Sequence, residues 1–280
     1  MPTDVASEVS VVVCVKNGAN TIYECLTSIA ENFPKELIVV DGNSTDGTLE
    51  IVQAIPKVQI LSDEGKGLSY ARRIGAEKAK GKFVMYVGPD NLMENGFIDQ
   101  VIKEKQLLGF DVVSVRTRVK SPITYWDKGL DFRWQCLMSK VGPIKVAGTP
   151  SVYEKDIFKE INFSDSVLGP SDDTDIAEAL RAKGYKIGLV PVTVYDQNGL
   201  DKASVIDKFR WYGTGDFYFY KKYEKKWTLI RKLKSILHPG IQFIAYTLIA
   251  IKSQRFEVIP WLVMTTFVRY SGWIKMARIK

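Results

Sequence analysis

The chain has 280 residues, of which 46% are hydrophobic and 25% are charged, and this composition is typical of a globular protein with a sizeable core. Its net charge of +7 indicates an anionic partner, and composition leaves nucleic acid, an anionic membrane surface and a phosphorylated small molecule open. The three cysteines lack the number and spacing of a disulfide framework or a zinc site, so a reducing, cytosolic setting is expected. The amino terminus has no signal-peptide pattern.

Short apolar strands alternate with helical patterns in the first part of the chain. The strands are predicted at residues 9–15, 36–40, 58–61 and 82–87, and helices at residues 21–32, 48–54 and 68–79. This alternation predicts an α/β layer with a parallel sheet. Ligands of such sheets bind outside the carboxyl ends of the strands, where this chain carries Lys16 and Asn17, then Asp41, then Asp90.

The pattern changes after residue 110. We predict a strand at 111–117, an irregular aromatic stretch from Tyr125 to Pro150, a helix at 175–183 and a strand at 186–190. Beyond these elements, a basic region at 208–234 precedes two apolar runs, at 241–251 and 258–268. The predicted organisation is an α/β domain over residues 1–205, which carries the candidate catalytic carboxylates, and a basic, aromatic, helical region over residues 206–280.

Asp41 ends the second predicted strand and precedes the turn sequence GNSTDGT. A carboxylate at this position can accept hydrogen bonds from a nucleobase or a ribose, and the turn supplies backbone donors. The alternative is that Asp46 and Gly47 only form a turn and that Asn43 or Ser44 only caps the next helix.

Asp90 lies at the end of the fourth predicted strand. A carboxylate beside Asn91 can hold a hard divalent cation that bridges two phosphates and neutralises a leaving diphosphate. The alternative is that Gly88, Pro89, Asp90 and Asn91 simply turn the chain.

Three carboxylates, those of Asp172, Asp173 and Asp175, lie immediately before a predicted helix. The helix dipole favours negative charge there, so any of them could be only a cap. Close like charges also push their proton affinities apart, which suits one of them to act as a general base on a hydroxyl acceptor.

Taken together, these segments resemble the inverting GT-A glycosyltransferases of family 2 over roughly residues 8–200. The matching segments are VSVVVCVKNG, LIVVDGNSTDGT, EGKGLSYARRIGAEKAKGKFVMYVGPDN and GPSDDTDIAEALRAKGYKIG. The resemblance implies the GT-A (nucleotide-diphospho-sugar transferase, Rossmann-like) fold, with a mostly parallel sheet, helices on both faces and a C-terminal helical extension. It also implies a hexosyltransferase that moves a sugar from a nucleotide-diphosphate-sugar to a hydroxyl acceptor.

The resemblance also implies roles for individual residues. The catalytic base would be Asp173, with Asp172 and Asp175 as supporting acidic residues. The donor nucleotide and its diphosphate would be bound by Val15, Asn17, Asp41, Asp46, Lys66, Gly67 and Arg72.

Asp90 matches the last carboxylate of the family's metal-binding DxD motif and would hold Mg²⁺ or Mn²⁺. The first carboxylate of that motif is replaced by Gly88. Asp196 and Gln197 stand where some relatives have a metal-binding histidine, and the only histidine of this chain is His238. The resemblance therefore implies a cation held by one aspartate and the oxygens of the donor's diphosphate.

Seven basic residues lie between Lys221 and Lys234, ahead of two apolar runs that are each too short to span a membrane comfortably. The basic residues and the two apolar runs together predict a helical hairpin at the membrane interface. The alternative is a pair of helices packed on the catalytic domain or on another subunit. We expect a cytoplasmic protein, peripheral on the inner face of the cell membrane. The acceptor alternatives are a lipid-linked (polyprenyl-linked) molecule and a growing polysaccharide or glycan.

Two rival functions belong to other classes. A nucleotidyltransferase on a similar scaffold needs a glycine-rich phosphate loop near the first strand, which Lys16, Asn17 and Gly18 do not provide. A catalytically inactive GT-A-like protein that binds a membrane surface or nucleic acid is the other rival, and Gly88 favours it. We expect no nucleic-acid partner.

Overall fold

The computed structural model describes residues 5–161, 169–197 and 199–279. Within these residues one nine-stranded sheet is present. Its strands are β1 (Val9–Val15), β2 (Glu36–Asp41), β3 (Val58–Ser62), β4 (Phe83–Val87), β5 (Asn91–Leu92), β6 (Val112–Val119), β7 (Gly142–Pro143), β8 (Ser151–Glu154) and β9 (Ile187–Asp196). The α-helices are α1 (Ile22–Ala30), α2 (Thr48–Gln53), α3 (Leu68–Lys78), α4 (Phe97–Leu108), α5 (Tyr125–Leu137), α6 (Ile157–Glu160), α7 (Asp172–Ala182), α8 (Lys202–Tyr223), α9 (Leu229–Lys252) and α10 (Ile259–Ile279).

The strands follow the order β3-β2-β1-β4-β8-β6-β9-β5, and β7 pairs with β9. β3, β2, β1 and β4 are mutually parallel, whereas β8 runs antiparallel to both of its neighbours, β4 and β6. Nearly every residue of β1 is buried, as expected for a β-branched strand covered on both faces. The predicted α/β class is confirmed.

Alternate residues of β1 enter two different cores because successive side chains of a strand point to opposite faces. Val11 and Val13 belong to a core that includes residues of α1 and α4. Val12 belongs to a second core that includes residues of α3 and α7. A Cβ on Gly75 of α3 would lie 2.4 Å from a methyl carbon of Val12, so glycine lets this helix approach the sheet closely. The predicted covering of both faces by helices is thus confirmed.

The prediction of an irregular stretch from Tyr125 to Pro150 is wrong, because α5 occupies its first half. A capping box begins this helix: Asp127 N–H donates to Thr124 Oγ1 (3.0 Å), and Thr124 N–H donates to Asp127 Oδ2 (3.3 Å). Polar residues, including Asp127, Asp131 and Arg133, are buried along the helix and interrupt the apolar periodicity by which a helix is recognised in a sequence.

Thr124→Ala is expected to lower the free energy of unfolding by about 1 kcal/mol, because the substitution leaves the Asp127 N–H without its capping acceptor. Urea denaturation followed by circular dichroism measures the change. Thr266→Ala is the control, since its hydroxyl donates only to Leu262 O within its own helix. Equal losses in the two variants would show that the capping box contributes nothing specific.

Two further boundaries differ from the predictions. α7 begins at Asp172, so the acidic residues form its first turn instead of preceding it. β9 extends to Asp196, six residues beyond the predicted strand end at residue 190, and its last two residues pair with β5.

The described residues group into two compact units, one within residues 1–118, 140–167 and 173–197 and the other within 119–139, 168–172 and 198–280. The second unit is helical, and its core contains Leu130, Phe209, Tyr246 and Trp261. None of the helices in the described part of the chain has the combination of length and apolar character needed to cross a membrane. The domain boundary between residues 205 and 206 stays a prediction.

Within the helical unit, Arg269 of α10 donates two hydrogen bonds to the carboxylate of Asp216 on α8, at 2.6 and 2.8 Å. A third hydrogen bond, at 3.1 Å, joins Arg269 to Gln242 of α9. One guanidinium therefore links three helices by the paired geometry that arginine and carboxylate favour.

Candidate active site

The carboxyl ends of the parallel strands β1, β2 and β4 lie at one edge of the sheet. Val15 is opposite Asp41 in the register between β1 and β2, and the Gly42 N–H donates to Val15 O at 2.8 Å. Two residues predicted to bind the donor nucleotide, Val15 and Asp41, are therefore neighbours at this edge. This position is where ligands of open α/β sheets bind.

The loops that follow β1 and β2 are fastened to each other by side chains. Asn17 N–H donates to Ser44 Oγ at 2.9 Å, and Thr45 N–H donates to Asn17 Oδ1 at 2.9 Å. Ala19 N–H donates to Asp46 Oδ2 at 3.0 Å. Asn17 and Asp46, both predicted at the donor site, thus hold the loops around it in place.

The Asp46 carboxylate is also bonded to Thr48, whose hydroxyl and backbone N–H both donate to Oδ1. These hydrogen bonds favour the charged form and hold the pKa of Asp46 below its ordinary value. Their contribution to stability is therefore present above the ordinary pKa of an aspartate and is lost as the pH falls through the lowered one.

The Asp41 carboxylate is buried, with 7% of the residue exposed. Its Oδ2 accepts a hydrogen bond from Ser44 N–H at 3.1 Å. Its Oδ1 is buried and has no hydrogen-bond partner among the described residues. A buried oxygen without a donor costs free energy, so this atom is a ready acceptor for an N–H or O–H group of a ligand.

The loop between β3 and α3 is organised by Asp63, a buried residue that the sequence analysis missed. Its two carboxylate oxygens accept hydrogen bonds from Gly65 N–H (2.7 Å) and Gly67 N–H (3.1 Å). Both glycines have positive φ, at +75° and +91°, which a residue without Cβ adopts readily. The signal in the sequence is an aspartate directly after a strand and before two glycines spaced two residues apart.

Lys66 and Arg72, the two cations predicted to face the diphosphate, differ in their surroundings. Lys66 is exposed and pairs with Glu64 at 2.5 Å, which raises the pKa of the Lys66 ammonium. Arg72 is half-buried and donates to Thr149 Oγ1 at 2.9 Å, and its guanidinium lies 5.7 Å from the ring centre of Tyr86. Arg72 is the more firmly positioned of the two.

The turn after β4 presents Asp90. Asn91 closes the turn, because its Oδ1 accepts from Gly88 N–H (2.9 Å) and its Nδ2 donates to Asp196 Oδ1 (2.7 Å). Gln197 N–H donates to Asp90 O at 2.9 Å. Asn91 and Gln197 thus hold the backbone around Asp90, whose side chain is half-buried.

The carboxylate of Asp90 suits a hard cation such as Mg²⁺ or Mn²⁺ as one oxygen ligand. Among the described residues, no three acidic, cysteine or histidine side chains are grouped closely enough to form a metal site. A Cβ on Gly88 would lie 2.8 Å from Asp90 Oδ1, so a carboxylate at position 88 would require the Asp90 side chain to move. The residues present fit a cation that takes its other ligands from a bound diphosphate.

The acidic residues of α7 differ in exposure. Asp172 and Asp175 are buried, at 3% and 7% exposure, whereas Asp173 is half-buried. Asp173 Oδ1 accepts a hydrogen bond from Thr174 N–H at 2.7 Å. Asp173, the predicted base, is therefore the most exposed of the three and the most accessible to an acceptor.

Comparison with known proteins gives a family match. The model described as "Glycosyl transferase family 2" matches residues 10–159, which is more than half of the chain. The matched segment contains every predicted donor-binding residue and Asp90, and it ends before the acidic residues of α7.

Curated relatives match over a limited part of their own length, between 15% and 38%. A cholesterol galactosyltransferase of Borreliella burgdorferi is 29% identical over 112 residues, which cover 38% of this chain and 31% of that protein.

Solved structures match over more of the chain. S. aureus TarS 1-349 in complex with UDP-GlcNAc superposes with a TM-score of 0.54 at 16% identity, covering 95% of this chain and 89% of that one. Glucosyl-3-phosphoglycerate synthase from Mycobacterium tuberculosis, with Mn²⁺, UDP and phosphoglyceric acid, gives a TM-score of 0.50 at 18% identity, with coverages of 69% and 71%. Together with the family match, these superpositions confirm the predicted GT-A fold.

Proposed function

Because the chain belongs to glycosyl transferase family 2, we propose that it transfers a sugar from a nucleoside diphosphate sugar to a hydroxyl acceptor, with inversion at the anomeric carbon. The observation that carries this proposal is the buried Oδ1 of Asp41, which lacks a donor among the described residues at the ligand-binding edge of the sheet. A nucleobase N–H or a ribose hydroxyl supplies the donor that this oxygen lacks.

The donor's nucleoside binds beside Val15 and Asp41, within the loops that Asn17 and Asp46 hold together. Its diphosphate lies near the loop organised by Asp63, with Gly67 giving the backbone its turn and Lys66 and Arg72 adding positive charge. The binding of UDP-GlcNAc by TarS and of UDP by glucosyl-3-phosphoglycerate synthase supports a nucleotide-sugar donor.

Transfer is a single displacement. Asp173 accepts the proton of the acceptor hydroxyl, whose oxygen forms a bond to the anomeric carbon as the bond to the diphosphate oxygen breaks. The electron pair of the broken bond leaves with the nucleoside diphosphate, and one displacement inverts the anomeric centre. Asp172 and Asp175, which lie in the same first turn of α7, are assigned a supporting role beside Asp173.

Asp90 is the residue of this chain that would hold Mg²⁺ or Mn²⁺ against the diphosphate. When bound, such a cation neutralises the charge that develops on the leaving diphosphate. The presence of Mn²⁺ or Mg²⁺ with UDP in structures of glucosyl-3-phosphoglycerate synthase supports this assignment.

For the acceptor we propose a lipid-linked molecule, with a growing glycan as the second candidate. One relative is named a cholesterol galactosyltransferase, so an acceptor with a lipid part has a precedent among similar proteins. The proposed location is cytoplasmic and peripheral, on the inner face of the cell membrane.

Calorimetric titration of the full chain with UDP- and GDP-sugars tests donor binding, and a hydrolysis screen across the same compounds tests bond cleavage without knowledge of the acceptor. We expect one donor to bind with a Kd of about 1 µM to 1 mM, more tightly with Mn²⁺, and to release its nucleoside diphosphate slowly. Metal-dependent binding without release from any donor, even with lipid and glycan acceptors added, would favour the inactive GT-A-like alternative. Absence of donor binding would refute the proposal itself.

A further inference from the structure

Helix α9 carries a row of large apolar side chains on its exposed side. Six of them are between 49% and 66% exposed: Ile230, Leu233, Leu237, Ile241, Ile244 and Leu248. Their spacings of three and four residues place them on one side of the helix, and we call this row the α9 apolar stripe. The opposite side of α9 packs into its own unit through Pro239, Tyr246 and Ala250, which are buried. Contiguous apolar surfaces of this kind are uncommon unless they bind something.

Positive charge adjoins one end of the stripe. The basic cluster consists of Lys221, Lys222, Lys225, Lys226, Arg231, Lys232 and Lys234. All of its members except the half-buried Lys232 are exposed, and the segment from residue 221 to residue 234 contains one acidic residue, Glu224. α9 itself has no aspartate or glutamate. The surface next to the stripe therefore attracts anions.

Aromatic residues lie between the basic cluster and the stripe. Trp227 stacks on Tyr223 with ring centres 5.8 Å apart and planes 9° apart, and the Arg231 guanidinium lies 5.0 Å from the Trp227 ring centre. Tryptophan and tyrosine are enriched where a protein meets the boundary between water and lipid, because their rings are apolar and carry a polar group.

We propose that the α9 apolar stripe docks the protein on an anionic lipid bilayer, with α9 lying in the plane of the interface. The apolar side chains enter the acyl boundary while the basic cluster contacts the headgroups. A second copy of this chain fits less well as the occupant, because it presents the same basic cluster and the same net charge of +7. The inference deepens the peripheral location given under the proposed function, on which it rests, by naming the surface and the lipid class, and it does not depend on the transfer chemistry.

Flotation of the full chain with vesicles tests this proposal without an activity assay. We expect it to float with vesicles containing about a third phosphatidylglycerol and to remain unbound with phosphatidylcholine alone. The double variant Ile244→Glu with Leu248→Glu should bind the anionic vesicles at least about tenfold more weakly, because it places two charges in the acyl boundary. Both positions are exposed, so the fold tolerates the change.

Leu107→Glu is the matched control, because Leu107 is 73% exposed and belongs to α4, a helix of the other compact unit. It should bind like the wild type. A second variant, Lys225→Glu with Lys226→Glu, should lose the preference for anionic vesicles. Unchanged flotation of the stripe variant, or no flotation of the wild type, would overturn the proposal. So would light scattering that shows a dimer which the stripe variant converts to a monomer, since the occupant would then be a second copy.

Discussion

Asp173→Asn is expected to lower the turnover number about a thousandfold, because an amide of the same size cannot accept the proton of the acceptor hydroxyl. The donor Kd should stay within about threefold of the wild-type value, since the proposed role of Asp173 begins only when the acceptor reacts. Single-turnover measurements at saturating donor give the rate of transfer, and calorimetric titration gives the donor Kd.

The control for this experiment is Asp156→Asn, whose side chain is 83% exposed and pairs with Lys159 at the surface. It makes the same chemical change and should leave turnover unaltered. If Asp173→Asn retains near-normal turnover, the base must be sought elsewhere. A loss of donor affinity equal to the loss of turnover would instead mean that the side chain binds the donor.

Asp41→Asn is expected to weaken donor binding by about ten- to a hundredfold, which corresponds to the 1.5–3 kcal/mol typical of a hydrogen bond to a charged group. The asparagine keeps the size of the side chain and one oxygen to accept from Ser44 N–H. It places an NH₂ group where Oδ1 now offers an acceptor, so the donor's N–H or O–H meets another donor. Calorimetric titration with the free nucleoside diphosphate measures the effect.

Turnover at saturating donor should fall much less than affinity in this variant, because Asp41 is proposed to act on the nucleoside and not on the reacting carbon. A melting temperature equal to that of the wild type would exclude a general loss of fold. An unchanged Kd in a folded variant would contradict the assignment of Asp41 to the nucleoside.

The strands and their carboxyl ends were predictable because β1 and β2 are continuous apolar runs, and such runs record burial on both faces directly in the sequence. The same rule placed Asp41 and Asp90 at the edge of the sheet. Helix α5 escaped prediction because it buries polar residues such as Asp131 and Arg133, although its capping box was visible in the sequence. A periodicity argument fails wherever a buried face is polar.

The hydrogen bonds that hold the loops of the candidate site were harder to predict than the positions of its carboxylates. The hydrogen bonds of Asn17 and Asp46 join residues that are 27 or 28 positions apart in the sequence. Local sequence patterns cannot predict such long-range pairings. Asp63 was missed because its signal in the sequence, an aspartate between a strand and two glycines, also fits a residue that only ends the strand. Which residues hold these loops together therefore had to come from the structure.

The crowding around Gly88 limits how this chain could change. An aspartate at position 88 would bring its Cβ within 2.8 Å of Asp90 Oδ1 and 2.9 Å of Asn91 Oδ1, the atom that accepts the Gly88 N–H. A second carboxylate at this position therefore requires Asn91 to shift, and this shift would disturb the other hydrogen bond of Asn91, to Asp196. The residues of this turn therefore constrain one another, and a second carboxylate at position 88 requires Asp90 and Asn91 to adjust with it.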